Sequence, residues 1–91
     1  MDIILYQIFV QGRVQGVWFR KYACDEAKIR GLKGFVRNEK DYGVYIEAEG
    51  SLDQLKEFVH WLYEGSPLSK VSSVKFDIGK NKHFNTFEIE S

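Results

Sequence analysis

The run Gly12-Arg13-Val14-Gln15-Gly16-Val17-Trp18-Phe19-Arg20 joins two segments of different periodicity. Before it, Ile3 to Val10 is apolar on both parities, which suits a central strand. After it, Phe19, Ala23 and Ala27 recur every fourth residue, the spacing of one helix face. The joining run has two glycines and two arginines, no acid, and none of the Ser, Thr, Asp or Asn that normally caps a helix. It therefore predicts a strand-to-helix loop whose first amides have no side-chain acceptor, beside a fixed positive charge. Free amides at a helix N-terminus together with a guanidinium fork make an anion site, most simply a phosphate site. A tight turn closed by a surface arginine is the alternative use of the same residues.

The remaining pattern limits the topology. The first helix is predicted over residues 20–30, with Lys28 and Arg30 in its last turn and Gly31 as its stop. Leu32 to Glu39 reads as a second strand, and Val44, Ile46 and Ala48 alternate with Tyr45, Glu47 and Glu49 in a third. Lys40-Asp41-Tyr42-Gly43 between them is short enough only for a hairpin. Ser51 then caps a second helix, and Gln54 completes a capping box. The apolar stripe of that helix is Leu52, Leu55, Phe58 or Val59, and Leu62, and Gly65 and Pro67 end it. Val74, Phe76 and Ile78 alternate in a fourth strand, and Phe87 and Ile89 suggest a short fifth. The order βαββαβ is that of two interleaved split βαβ units. It predicts an α+β, ferredoxin-like sandwich in which an antiparallel sheet carries both helices on one face. No linker interrupts the 91 residues, so 1–91 is read as a single domain.

Composition removes several function classes. Thirteen basic residues balance thirteen acidic ones, which argues against holding nucleic acid through its phosphates. The single cysteine, Cys24, permits no internal disulfide and fits a reducing compartment. No leader opens the chain and no apolar run approaches a membrane span, so a cytoplasmic, membrane-free protein is expected. His60 and His83 are far apart in sequence and form no ligand spacing with Cys24, so no metal site is expected and both read as surface residues.

The usual catalytic motifs are missing. Gly12 and Gly16 fit neither the dinucleotide fingerprint nor the Gly-Lys-Ser/Thr phosphate loop, and there is no nucleophile elbow. Cys24, one turn into an amphipathic helix, reads as a packing residue. What remains is the first loop, Arg20, and Asn38 at the end of Gly34-Phe35-Val36-Arg37-Asn38. Asn38 alone could be a hairpin residue. Beside an anion site, its carbonyl can accept from a water and its amide can donate, so it can orient that water toward a bound phosphorus.

These two motifs, with Val44 and Gly50 following at the expected distance, resemble the signatures of the acylphosphatase family. The resemblance runs from the first strand to the fourth. It implies hydrolysis of the carboxyl–phosphate bond of small acyl phosphates, giving a carboxylate and inorganic phosphate without a metal or other cofactor. Carried over by residue, the amides of Gln15, Gly16, Val17, Trp18 and Phe19 and the Arg20 guanidinium would bind the phosphate, and Asn38 would position the attacking water. A carboxylate leaving group has a conjugate-acid pKa of roughly 4, so the lack of a general acid in either motif is no objection.

Three features depart from the family pattern. Glycine comes one position late in Asp41-Tyr42-Gly43, which requires either a positive φ at Tyr42 or a different turn type. Trp18 is large where many members carry a small residue, and it is expected to pack on the following helix rather than lean over the pocket mouth. The ending Phe87-Glu88-Ile89-Glu90-Ser91 lacks the aromatic residue that often closes the last strand. Two other functions use the same scaffold. One is a non-catalytic module that binds a phosphorylated or carboxylated metabolite. The other is RNA binding through Lys33-Gly34-Phe35-Val36, which the neutral charge and missing aromatic pattern oppose. A monomer is expected, and Lys80-Asn81-Lys82-His83 is expected to be a solvated loop with no chemical role.

Overall fold

A computed structural model describes residues 2–91. The chain runs β1 (Ile4–Arg13), α1 (Phe19–Ile29), β2 (Lys33–Asn38), β3 (Val44–Gly50), α2 (Leu52–Glu64), β4 (Lys70–Gly79) and β5 (Phe87–Glu90). The strands form one sheet in the order β4-β1-β3-β2-β5. The first four pair antiparallel, as the ferredoxin-like reading requires. The short fifth strand adds parallel to β2, with Gly34 opposite Phe87, so the complete sheet is mixed.

Period-two alternation sends Tyr6, Ile8 and Val10 of β1 to the same face as Ile46 and Ala48 of β3 and Val36 of β2. These residues share one buried cluster with Phe19, Ala23 and Ala27 of α1 and Leu55, Phe58 and Leu62 of α2. Both helices therefore cover one face. Ile8 and Phe58 are completely buried, and each such side chain contributes about 1.5–3 kcal/mol. The Ser51 cap forms in full: its hydroxyl accepts from the Gln54 amide, and the Gln54 side chain accepts from the Ser51 amide. Leu55, Phe58 and Leu62 form the buried stripe of α2; Val59 packs partly buried at its edge and Leu52 is exposed.

The other face departs from what the alternation in β3 implies. Tyr45, Glu47 and Glu49 are all buried, although alternating polar residues ordinarily face water. The cause is topological. β4 and β5 lie on opposite edges, so residues 80–86 must travel from one side of the sheet to the other. That segment is fastened as it goes. The Glu49 carboxylate accepts the backbone N–H groups of Lys82, His83 and Phe84 at 2.6–3.0 Å, and the Asn81 side chain donates to the Ile3 carbonyl at 2.7 Å. The Lys82 ammonium lies 2.9 Å from Glu47, which also accepts from the Tyr45 hydroxyl. Lys80-Asn81-Lys82-His83 is exposed, as expected, yet its backbone is structurally committed.

Candidate active site

β1 bends where the first motif begins. Its register against β4 shifts between Gln11 and Gly12, a β-bulge, and Gly12 has φ +130°. A Cβ there would run into the Lys70 carbonyl, so the close approach of β4 requires glycine. Past the bulge, buried Val14 and Val17 fasten the loop to the core, while Gly16 takes φ +74° on the surface. Trp18 occupies the cap position of α1 in the left-handed region, at φ 65°, with no side-chain cap. Among the described residues no acceptor takes the backbone N–H of Gln15, Gly16, Val17, Trp18 or Phe19. The loop ends in unpaired donors, as its composition implied.

The loop is also tied to the hairpin between β2 and β3. Both hydrogens of the Gln15 side-chain amide are used, donating to the carbonyls of Glu39 and Gly43 at 2.8 Å each. Gln11 donates to Asp41, and the other Asp41 oxygen accepts the Gly43 amide. The Gly43 amide and the Gln11 side chain hold the exposed Asp41 carboxyl below its usual range. Tyr42 takes φ 70°, the first of the two options its hairpin allowed.

Asn38 ends β2 opposite Val44, on the helix-covered face. Its neighbour Arg37 points the other way and lies over the Phe35 and Tyr45 rings. Strand alternation alone thus selects Asn38 for the site. A pocket of about 350 Å³ brings Asn38 together with Gly16, Trp18, Phe19 and Arg20 from the predicted set. Gln15 and Val17 do not line it, because the Gln15 side chain is engaged by the hairpin and the Val17 side chain is buried. The Asn38 Oδ1 is buried, and among the described residues no group donates to it. A buried acceptor without a partner is uncommon and is a strong local demand for a donor.

Arg20 sits in the first turn of α1 and donates to the Glu90 carbonyl at 3.2 Å, so the last strand orients the guanidinium. Sequence reasoning missed this contact, because it depends on β5 docking beside β2. Val14, Lys21 and Ile89, also missed, complete the lining; Lys21 is paired with Asp25 at 2.7 Å. The Trp18 expectation is corrected. The indole is 72% exposed and stands at the pocket mouth, because the left-handed cap turns it away from α1 and Phe19 takes the core position. Cys24 is buried behind the site, 3.7 Å from the Phe87 carbonyl, and burial pushes its thiol up, which disfavours a nucleophilic thiolate.

Among the described residues no three or more His, Cys, Asp or Glu side chains converge as a metal site, and no helix is long and apolar enough to cross a membrane. The sequence profile of the acylphosphatase family matches residues 6–89. The chain is 47% identical over 75 residues to an acylphosphatase of Bacillus licheniformis, covering 82% of this chain and 83% of that one. It superposes on the crystal structure of acylphosphatase from Bacillus subtilis with a TM-score of 0.94 at 39% identity, covering 97% and 99% of the two chains. It is also similar to 12% of full-length HypF, solved in a phosphate- and nucleotide-bound form, with a TM-score of 0.89 at 30% identity over 99% of this chain. Fold, loop and relatives agree: the chain belongs to the acylphosphatase family.

Proposed function

We propose that this acylphosphatase holds the phosphoryl group of a small acyl phosphate on the amides of residues 15–19 and the Arg20 guanidinium, while Asn38 orients the attacking water. The observation that carries the reading is the buried, partnerless Asn38 Oδ1 in the same pocket as Arg20 and Gly16. An acceptor at that position takes one hydrogen of a water and directs a lone pair of its oxygen at phosphorus. A loose phosphoryl transition state needs its equatorial oxygens neutralised and its entering and leaving oxygens in line. Loop amides and Arg20 supply the first requirement, and Asn38 supplies half of the second.

The water oxygen bonds to phosphorus as the bond from phosphorus to the acyl oxygen breaks. The carboxylate leaves with that electron pair, and the water's proton passes to a phosphate oxygen of the substrate. The products are a carboxylate and dihydrogen phosphate, so no side-chain base is consumed. A weakly basic leaving group needs no acid, and the reaction as written uses only this chain's residues, acting as a monomer. The test is the initial rate of benzoyl phosphate hydrolysis in excess chelator, compared with the uncatalysed rate. Rapid chelator-resistant turnover is expected. A folded sample no faster than the blank would overturn the reading and favour a phosphate-binding module.

A further inference from the structure

We propose that an apolar recess beside the phosphate pocket receives the organic tail of the acyl phosphate and selects aryl or branched-alkyl tails over acetyl; this rests on the phosphate-site reading above. The recess measures about 350 Å³ and is walled by Val17, Trp18, Tyr22, Pro67 and Leu68, a size within the roughly 300–1,000 Å³ of small-molecule sites. Trp18 lines both the recess and the phosphate pocket, so the two adjoin at one side chain. Their chemistry differs. Arg20 and Lys21 line the phosphate pocket, whereas no charged side chain lines the recess.

The recess is built from fixed parts. Buried Ser66 donates its hydroxyl to the Val17 carbonyl at 2.7 Å, which fastens the segment after α2 to the phosphate loop. The Ser69 hydroxyl and amide both donate to the Ser66 carbonyl, closing the turn that presents Pro67 and Leu68. Trp18, at the cap, and Tyr22, in the first turn of α1, both wall the recess, and the Tyr22 amide donates to the Trp18 carbonyl at 3.1 Å. Trp18 and Leu68 are each 72% exposed. Large apolar side chains grouped at the mouth of a polar pocket mark a surface that meets a ligand.

Displacement geometry supplies the direction. The leaving oxygen departs opposite the entering water. The proposed water is held by Asn38 on β2, whereas Pro67 and Leu68 lead into β4, on the far side of β1, from which the loop emerges. A tail leaving away from Asn38 therefore passes over Trp18 toward Leu68.

The experiment compares kcat/KM for benzoyl phosphate and acetyl phosphate in the wild type, Leu68→Ser and Tyr22→Ser. Neither position belongs to the phosphate site. The expected result is a fall of about five-fold or more for benzoyl phosphate, carried by KM because the lost contact serves ground and transition states alike. Acetyl phosphate should stay within about two-fold. An unchanged benzoyl-to-acetyl ratio in both variants, or an equal fall for both substrates, would overturn the recess and leave the hydrolase standing. An unchanged ratio accompanied by a change in sedimentation would assign the recess to a second copy of the chain. A wild type that hydrolyses neither substrate would remove the phosphate-site reading and the recess together.

Discussion

The two ends of the sheet solve one electrostatic problem in opposite ways. At the end where β3 finishes, three successive amides of residues 82–84 point at an anion the chain itself provides, the Glu49 carboxylate. At the end where β1 finishes, among the described residues, the amides of residues 15–19 have no acceptor and the buried Asn38 Oδ1 has no donor. Backbone N–H groups gathered in a loop favour negative charge in either place. The difference is ownership of the charge. Supplied from within, it locks a crossover; left to be supplied from outside, it would make the binding site proposed above.

Substitutions at the two ends should separate along that line. The largest effect is expected from Arg20→Ala, with a loss of about 10³-fold or more in kcat/KM on benzoyl phosphate. Phosphate should also stop raising its melting temperature, as ligand linkage requires. Arg20→Lys should recover little, because a point charge lacks the planar fork. A phosphate-stabilised, active Arg20→Ala would dissolve the contrast. Asn38→Ala should lose about 10²-fold in kcat while calorimetry finds phosphate affinity nearly unchanged. A fall in affinity that matched the fall in kcat would make Asn38 part of the anion cradle instead.

At the closed end the expectation reverses. Glu49→Gln should lose about 2 kcal/mol of stability in urea, because hydrogen bonds to a buried charged acceptor are among the stronger ones. Phosphate binding should persist. A variant as stable as the wild type would show that the amides gain as much from water.

The same carboxylate predicts a pH signature. Burial works against its charged form, but the amides of Phe84, Lys82 and His83 outweigh this and hold Glu49 below the usual glutamate pKa of 4.5. Its contribution is therefore complete above that value and is lost as pH falls through the lowered folded value. Unfolding free energy measured from pH 6 to pH 3 should fall more steeply in the wild type than in Glu49→Gln. Parallel curves would refute the assignment. The smallest effect is expected at the hairpin tip, where Tyr42→Gly removes left-handed strain at an exposed residue and should add less than about 1 kcal/mol without altering turnover.

The open end was more legible in the sequence than the closed one, for a physical reason. The unpaired amides follow from a local fact, the lack of any capping residue between Gly12 and Phe19, and the α2 cap follows from Ser51 and Gln54 three apart. Local rules also placed Asn38 and Arg37 on opposite faces. Burial of Glu47 and Glu49 depends on where β5 docks, and nothing in their strand encodes it. The Arg20 contact with Glu90 and the Ser66 contact with Val17 likewise join distant segments. Trp18 misled because its size suggested packing, whereas its backbone conformation decides where the indole goes.

The position of β1 also affects how the molecule assembles. β1 comes early in the chain, yet it pairs with β3 on one side and with β4 on the other, where Leu5 meets Gly79 and Arg13 meets Lys70. Pairings between segments so remote in sequence must overcome a large loop-closure entropy before they give stability, so folding is expected to be slow for a chain this short. During synthesis the loop after β1 emerges well before the β4 strand that pairs with β1. Catalytic competence should therefore appear late and all at once, and a nascent chain ending before Lys70 should be inert.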